Sequence, residues 1–432
     1  MRLAAVIRFL YTLVLSLVSP FLIFLLIKKS NGSNDIGSRW KEMFGFSPPA
    51  KGKFLAKTFW IHSVSVGETI AVIPFVRELH DSCPGARFII TTTTATGAEQ
   101  AKKIRDIASH RYMPFDLPFS VKNFIRIHQP NRLIIMEKEL WPNTLHVANK
   151  CGLAIYIINA RFSERSKRSY KNFLWLLKPL CLSKLTHVFC QSQADMENFQ
   201  EAGVERQKIS ITGSIKNDIQ IPLSLKEKTR RLRVKIGEER QVWVAASTHE
   251  GEEEKLLDVH REILVDFPEA LLIIVPRHPE RFNRVDQVIL DSGFSSDRRS
   301  KESSSMNEKI HHKQVYLADT MGEMLLLMGV SDVCFIGGSL IGNKAGGHNV
   351  LEPAALGIPT IIGPSYFNFQ SITNGLARHD ALIVTPPKKG IIVNHLRLLF
   401  SSEERRCTMA SNAKNFVRKN TGAIAKTVKK LK

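Results

Sequence analysis

The six cysteines, Cys83, Cys151, Cys181, Cys190, Cys334 and Cys407, never fall as C-x-x-C. That absence removes the common zinc spacings, and so few, scattered cysteines read as the usage of a reducing compartment rather than a disulfide framework. Cys190 and Cys334 lie inside apolar, strand-like runs and read as buried hydrophobes. No Asp-x-Asp pair occurs in the 432 residues, so no metal clamp built on such a pair, and no cofactor, is expected. Zinc-finger spacing, an RNA-recognition signature and solenoid-type repeats are also missing. Acidic residues are scarce: 40 Asp and Glu against 61 Lys and Arg, a formal net charge of +21. A field of that sign suits an anionic partner, whether nucleic acid, acidic lipid or a phosphorylated substrate. The basic residues are dispersed, with clusters at Arg161–Lys171, Lys226–Lys235 and Lys414–Lys432. Without a recognition signature, nucleic acid is the weakest of the three partners.

What is present starts at the amino end. Phe9–Ile27 carries no charge and is rich in Leu, Val, Ile and Phe; Arg2 and Arg8 precede it, and Lys28 and Lys29 follow. The run is just long enough to span a bilayer as a helix, and Pro20 would kink it without breaking it. No small-x-small cleavage site follows, because Lys28-Lys29-Ser30-Asn31 comes instead, so an uncleaved anchor is expected rather than a signal peptide. A helix lying in the membrane interface is the other reading. Lys28, Lys29, Arg39 and Lys41 bias the body toward the cytoplasmic side. The rest of the chain suits two domains. The expected division is an anchor over 1–29, a first domain over 30–222 and a second over 223–432. The charged connector Leu223–Arg240 marks the junction.

Strand-like and helix-like segments alternate twice over. The first series has strands at Phe59–Val66, Arg87–Thr94, Arg132–Glu137, Leu153–Asn159, His187–Gln191 and Ile209–Thr212. The second has Val242–Ser247, Ala270–Pro276, Val315–Leu317, Asp332–Ile336, Thr360–Ile362 and Leu382–Val384. Several are continuous apolar runs, as parallel strands covered on both faces require. The α/β pattern therefore predicts two Rossmann-like, doubly wound domains facing a central cleft. The polar segment Ser295–Lys309 reads as a flexible surface loop.

Candidate chemistry gathers where strands end. Glu68 closes Phe59-Trp-Ile-His-Ser-Val-Ser-Val-Gly-Glu68, at the carboxyl end of a strand, where open α/β sheets bind ligands. A glutamate there can take a proton from an attacking hydroxyl. It can equally be a carboxylate that only complements the helix dipole. Beyond the second glycine-bearing strand end, Phe335-Ile-Gly-Gly-Ser339, lies Gly346-Gly-His-Asn-Val-Leu-Glu352. Its glycines let backbone amides approach a ligand. A helix starting near Asn349 would aim its amino end at a phosphate, with Glu352 placed for ribose hydroxyls. Pro276, Arg277 and His278 follow a buried strand, and Arg277 suits a phosphate or a pyrimidine carbonyl. Ser247 and Thr248 either face the ligand or cap the next helix. The turn Asp319-Thr-Met-Gly-Glu-Met324 offers Gly322, Glu323 and Met324 as a wall for a base or ribose.

Together these segments resemble a known family. His62–Glu68, Thr91–Glu99, Glu139-Leu-Trp-Pro-Asn143, Asn159-Ala-Arg161, Thr212-Gly213, Ala245–Glu252, Pro276–Arg281 and Phe335–Pro364 look, in order, like the 3-deoxy-D-manno-octulosonic acid (Kdo) transferases of lipopolysaccharide biosynthesis. The resemblance implies a two-domain GT-B glycosyltransferase. Its members transfer Kdo from CMP-Kdo to the lipid A precursor at the cytoplasmic face of the inner membrane. It implies Glu68 as the catalytic base; from their own positions Glu139 and Lys216 are further catalytic candidates, Lys216 being equally readable as a solvated lysine. Arg277, Gly322, Met324, Asn349 and Glu352 would hold CMP, and Ser247, Thr248, Pro276, His278, Glu323 and Gly338 would complete the donor site. Acceptor contacts are expected from Ser65, Gly67, Thr93, Thr94, Gly97 and Arg161. Departures from the family pattern are Lys138, Asn343-Lys344-Ala345 and Val350, which bear on loop shape. Three alternatives stay open. One is another GT-B transferase using a UDP-sugar. The others are a non-catalytic nucleotide-binding membrane protein and a basic nucleic-acid-binding protein with steep salt dependence.

Overall fold

The computed structural model describes residues 2–30, 38–49, 57–162, 174–219, 221–222, 224–301 and 313–432, the side chains of Arg2, Pro20, 22–30 and Leu174 excepted. The chain forms two compact units, Met1–Asp218 with Asn420–Lys432, and Ile219–Lys419. The carboxyl-terminal residues Asn420–Lys432 thus belong with the first unit, although the linear reading groups them with the second.

The first unit holds a seven-stranded parallel sheet in the order β3-β2-β1-β4-β5-β6-β7. Its strands are β1 (Thr58–His62), β2 (Arg87–Thr92), β3 (Ala108–Tyr112), β4 (Arg132–Met136), β5 (Ala154–Ala160), β6 (His187–Cys190) and β7 (Ile209–Ile211). Strand alternation divides its side chains between two cores. Trp60, Ile89, Leu133, Ile135 and Ile157 meet Val121, Phe124 and Leu145 on one face. Phe59, Ile61, Ile90, Ile134 and Ile158 meet Val72, Phe75 and Leu79 on the other, together with Ile424, Val428 and Leu431 of the last helix, Ala423–Leu431. That helix is held at its start by Asp218, whose carboxylate accepts the amides of Gly422 and Ile424, both at 2.6 Å. At its end the Arg132 guanidinium reaches the Leu431 carbonyl.

The second unit repeats the architecture in the order β10-β11-β9-β8-β12-β13-β14. Its strands are β8 (Val242–Thr248), β9 (Leu271–Pro276), β10 (Ser296–Arg298), β11 (Val315–Leu317), β12 (Val333–Ile336), β13 (Thr360–Ile362) and β14 (Ile383–Val384). Two strands escape the sequence pattern, β3 and β10, and both are edge strands of their sheets. An edge strand has one open side and tolerates the polar composition of Ala-Ser-His-Arg-Tyr or Ser-Asp-Arg. Residues 296–301, expected as flexible loop, are therefore strand followed by a 3₁₀ turn, Arg299–Lys301. The remainder of that expected loop, 302–309, lies outside the described residues. So do 163–171 of the Arg161–Lys171 basic cluster.

The amino-terminal helix runs from Arg2 to Ser30, 29 residues. It lies along the first unit by one face. The Thr12 hydroxyl and the Asn143 amide are hydrogen-bonded, and Tyr11 bonds Asp116. Its other face exposes Leu3, Val6, Phe9, Leu10, Leu13, Val14, Leu17, Val18 and Phe21. Among the described residues no helix is long and apolar enough to cross a membrane. The side chains of 22–27, the last part of the expected span, are outside that description.

Candidate active site

Each sheet has a switch point where successive connections leave in opposite directions, between β1 and β4 in the first unit and between β8 and β12 in the second. Ligands of open α/β sheets sit at the carboxyl edge there. In the first unit that edge carries carboxylates. Glu68 begins the helix Val66–Ser82 in a capping arrangement. The Ser65 hydroxyl accepts the Glu68 amide at 3.2 Å, and the Glu68 carboxylate accepts the Val64 amide at 2.8 Å and the Ser65 hydroxyl at 3.3 Å. This is the reciprocal Ser-x-x-Glu pattern, shifted one residue on its return bond. Glu68 therefore is a helix-terminal carboxylate, and its chemistry goes further than that. Burial raises its pKa above the ordinary carboxylate value, with the charges of Glu137 and Glu139 adding to the rise and the Val64 amide opposing it. A glutamate poised upward is a better base near neutral pH than a free one.

Glu139 is half-buried, and burial raises its pKa as well, reinforced by Glu137 and opposed by Lys138. Lys216, on the short turn Ile215–Asn217, donates to Glu137 at 2.7 Å. Glu137, which sequence reasoning missed, and Asn159, which it quoted only at the head of Asn159-Ala-Arg161, hold this group in place. Glu137 directly follows β4 at φ +62°, and Asn159, near the end of β5, sits at φ +53°. Non-glycine residues rarely take that conformation, and it clusters at functional sites. The buried Asn159 side chain accepts the Ile215 amide at 3.0 Å and the Ser214 hydroxyl at 3.2 Å, which sets the turn carrying Lys216. The signals in the sequence were the proximity of Glu137 to Glu139 and the place of Asn159 in Asn159-Ala-Arg161.

The acceptor candidates have local partners. Thr94 caps the helix Ala95–Ala101 by accepting the Gly97 amide, and Thr93 donates to the Val64 carbonyl at 3.1 Å. Gly97 fits because a Cβ there would lie 2.9 Å from the Thr94 hydroxyl. Gly67 has open space beside it, and Arg161 is exposed just beyond β5.

In the second unit the carboxyl edge is glycine-rich and basic. The chain passes so close at Gly337 that a Cβ would sit 2.5 Å from the Ser247 carbonyl oxygen. Ser247 itself is at φ +61°, where β8 bulges against β9. Buried Glu252 then gathers the loop by accepting the amides of Gly338 at 2.6 Å, Ser339 at 3.0 Å, Leu340 at 2.9 Å and His249 at 3.0 Å. Sequence reasoning quoted Glu252, His249 and His348 within its segments without giving them a role; the Nε2 atoms of the two histidines are 2.8 Å apart. Arg277 and His278 are exposed after β9. Asn349 and Glu352 are joined, the Asn349 amide donating at 3.1 Å, while Asn349 accepts the Leu351 amide at 3.0 Å. The helix they open, Leu351–Leu356, has six residues. It is too short to bring much dipole to a phosphate, so recognition there rests on side chains and loop amides. Burial raises the Glu352 pKa, and Asn349 opposes the rise.

The turn with Gly322, Glu323 and Met324 is braced from the edge strand. Arg298 pairs with Asp319 at 2.7 Å and Arg299 with Glu323 at 2.8 Å. Arg299 is the main reason the Glu323 pKa is lowered. Glu323 is thus engaged within the fold, leaving Gly322 at φ +86° and Met324 as the wall of the turn.

Residues 38–219 match the family described as 3-Deoxy-D-manno-octulosonic-acid transferase (kdotransferase). The chain is 36% identical over 431 residues to the 3-deoxy-D-manno-octulosonic acid transferase of Haemophilus influenzae, covering 98% of each chain. This chain belongs to the Kdo transferase family. The Bordetella pertussis transferase is 30% identical over 445 residues, covering 98% of each. Among solved structures, the UDP-GlcNAc 2-epimerase of Neisseria meningitidis bound to UDP-GlcNAc is 13% identical. It has a TM-score of 0.56, covering 87% of this chain and 99% of that one, a likeness of fold alone. For a Kdo transferase, the acidic switch point in one unit and the basic, glycine-rich one in the other supply two distinct kinds of chemistry.

Proposed function

We propose that this enzyme moves Kdo from CMP-Kdo to the lipid A precursor, lipid IVA, as a GT-B transferase acting by direct displacement with inversion and without a metal. The observation that carries the proposal is the Glu68 carboxylate at the β1 edge, half-buried and raised toward a working base by burial and by Glu137 and Glu139. Glu68 takes the proton of an acceptor sugar hydroxyl as its oxygen bonds to the anomeric carbon. The bond from that carbon to the CMP phosphate breaks, and its electrons leave with CMP. The first unit supplies the base, with Glu139 orienting it or the acceptor. Lys216 is held by Glu137 until an anion competes for it. Ser65, Gly67, Thr93, Thr94, Gly97 and Arg161 form the acceptor surface in this reading. The second unit holds the nucleotide through Arg277, Asn349, Glu352, Gly322 and Met324, with Ser247, Thr248, Pro276, His278, Glu323 and Gly338 around it. Fixed positive charge and amides there stabilise the departing phosphate, usually the largest contribution in such chemistry.

The amino-terminal helix is the membrane-engaging element of this reading. Its bonds to Asn143 and Asp116 keep one face on the body, while the opposite apolar face is free for lipid. A helix in the interface plane satisfies both faces at once, whereas the single-pass alternative would need the whole of Phe9–Ile27 to leave the body.

The test is incubation of purified protein with CMP-Kdo or UDP-sugars and a tetraacylated lipid A precursor, followed by mass and anomeric analysis of the product. Transfer from CMP-Kdo with inverted configuration is expected; transfer only from a UDP-sugar, or none, would reject the proposal. Removing residues 2–29 should shift the protein toward the soluble fraction. Residual salt-sensitive binding should remain, because basic residues near an anionic leaflet contribute on the order of 1 kcal/mol each.

A further inference from the structure

The second unit contains an imidazole pair that none of the roles above uses. His249 follows β8, and His348 stands in the glycine-rich loop after β12. Their rings are parallel within 5°, with centroids 5.0 Å apart and Nε2 atoms at 2.8 Å. Two ring nitrogens at that distance need one hydrogen between them. With none, two lone pairs face each other; with two, two N–H groups collide. The pair therefore has two stable states, neutral and singly charged, and is barred from the doubly charged one.

The surroundings decide which state holds. His278 lies edge-on to His249, with centroids 5.4 Å apart. Arg277, His278 and Arg281 all act against charge on His249, and Arg277 and His278 against charge on His348. Three of the nearby carboxylates have other partners. Glu253 binds Arg281 at 2.8 Å, Glu280 faces His278 at 3.7 Å, and Glu252 holds loop amides. Glu250 and Glu254 act on Arg281. Burial, followed by His249, Arg277 and His278, pushes His348 down to about 4, and burial followed by His278, Arg281 and Arg277 lowers His249. These causes favour the neutral state of the pair. Arg277 makes no ion pair among the described residues, and the adjoining Thr248 hydroxyl is wholly buried without a hydrogen-bond partner. A Cβ on Gly338 would lie 3.1 Å from the His348 ring, so the loop backbone abuts the pair. Among the described residues no three His, Cys, Asp or Glu side chains converge to hold a metal ion.

We propose that His249 and His348 are a one-proton pair that becomes charged when a nucleoside monophosphate dianion occupies this edge, so that CMP binding draws one proton from solvent. The inference rests on the donor-site reading above. Its chemical sense lies in the leaving group. The donor phosphodiester carries one negative charge at phosphorus. As the anomeric C–O bond breaks, its electron pair stays on the phosphate oxygen, and CMP leaves as a monoester with a second charge. The acceptor's proton has gone to Glu68, so the added charge on CMP needs its own counterpart. A pair that gains one proton and cannot gain two supplies it.

The experiment is calorimetric titration of the full chain with CMP at pH 7.5 in buffers of different ionisation enthalpy, which counts protons exchanged on binding. CMP is almost wholly dianionic there, with its second pKa about 6. The parent should take up more than about half a proton per CMP. His348→Gln and His249→Gln should bind CMP roughly 10-fold more weakly and take up none. Binding without uptake in the parent overturns the pair but leaves the donor site standing. Uptake that persists in both variants puts the proton on another group and also overturns it. If CMP does not bind the parent at all, the donor-site reading fails, and this inference with it. Should one variant not fold, the parent's proton count and the other variant still decide.

Discussion

In the first unit the chain leaves β1 and β4 and sets down Glu68, Glu137 and Glu139. In the second it leaves β8 and β12 and sets down His249, Gly337, Gly338 and His348, with Arg277 and His278 after neighbouring β9. The topological position is the same and the charge is opposite. In both places a non-glycine residue is held at positive φ, Glu137 at +62° and Ser247 at +61°. In the function proposed above, the first edge carries the proton-accepting group and the second the anion-receiving one. What differs is how burial acts. Crowding of like charges reinforces the rise in the Glu68 pKa, whereas in the second unit positive neighbours help to strip charge from the imidazoles.

The contrast breaks most severely at Glu68. Glu68→Gln keeps shape and can still accept the Val64 amide, but it cannot take a proton. Initial transfer rates should fall by about 10²- to 10⁴-fold, with CMP affinity in calorimetry unchanged. Turnover within a few-fold of the parent would reduce Glu68 to a cap and make Glu139 the next residue to test. On the other side, Arg277→Ala should weaken CMP binding by roughly 10- to 100-fold, the range for a hydrogen bond to a charged group, while thermal melting stays close to the parent. Unchanged affinity in this variant and in Glu352→Ala would remove the nucleotide from this edge.

Smaller effects sharpen the comparison. Glu68 works as a base only when ionised, and negative neighbours favour its protonated form. The acid limb of kcat/KM should therefore lie above the ordinary carboxylate range. Glu137→Gln removes one negative neighbour, so the limb should move to lower pH, by up to about one unit. A limb that stays in place or moves upward would show that Glu137 does not act on the base. The mildest change is Ser65→Ala, which deletes the helix cap. It should cost about 0.5–2 kcal/mol in chemical denaturation of the first unit and leave CMP affinity untouched.

The apolar runs made the architecture readable, because parallel strands covered on both faces declare themselves in composition. The edge strands β3 and β10 did not, since their open sides free them from that requirement. Glu68 and the glycine-rich loop were legible from their place after strands. Glu137, His249, His348 and Glu252 were not, because their roles depend on backbone at positive φ and on partners far along the chain. Glu252 and Gly338, joined at 2.6 Å, are 86 residues apart. The brace Arg298–Asp319 was hidden for a different reason. Its segment has the composition of a solvated loop, and only its pairing with β11 gives it shape.

The helix Ala423–Leu431 returns to the first unit and covers Phe59 and Ile61's side of the sheet with Ile424, Val428 and Leu431. During synthesis that cover is made after the second unit. The ribosome must finish all of Ile219–Lys419 before the closing piece of the first-made unit exists, roughly 10–40 s at about 5–20 residues per second. Through that interval the nascent first unit presents an uncovered apolar strip. A chaperone that shields it, or a pause that lengthens the wait, would govern the yield of active enzyme without touching any residue of the site.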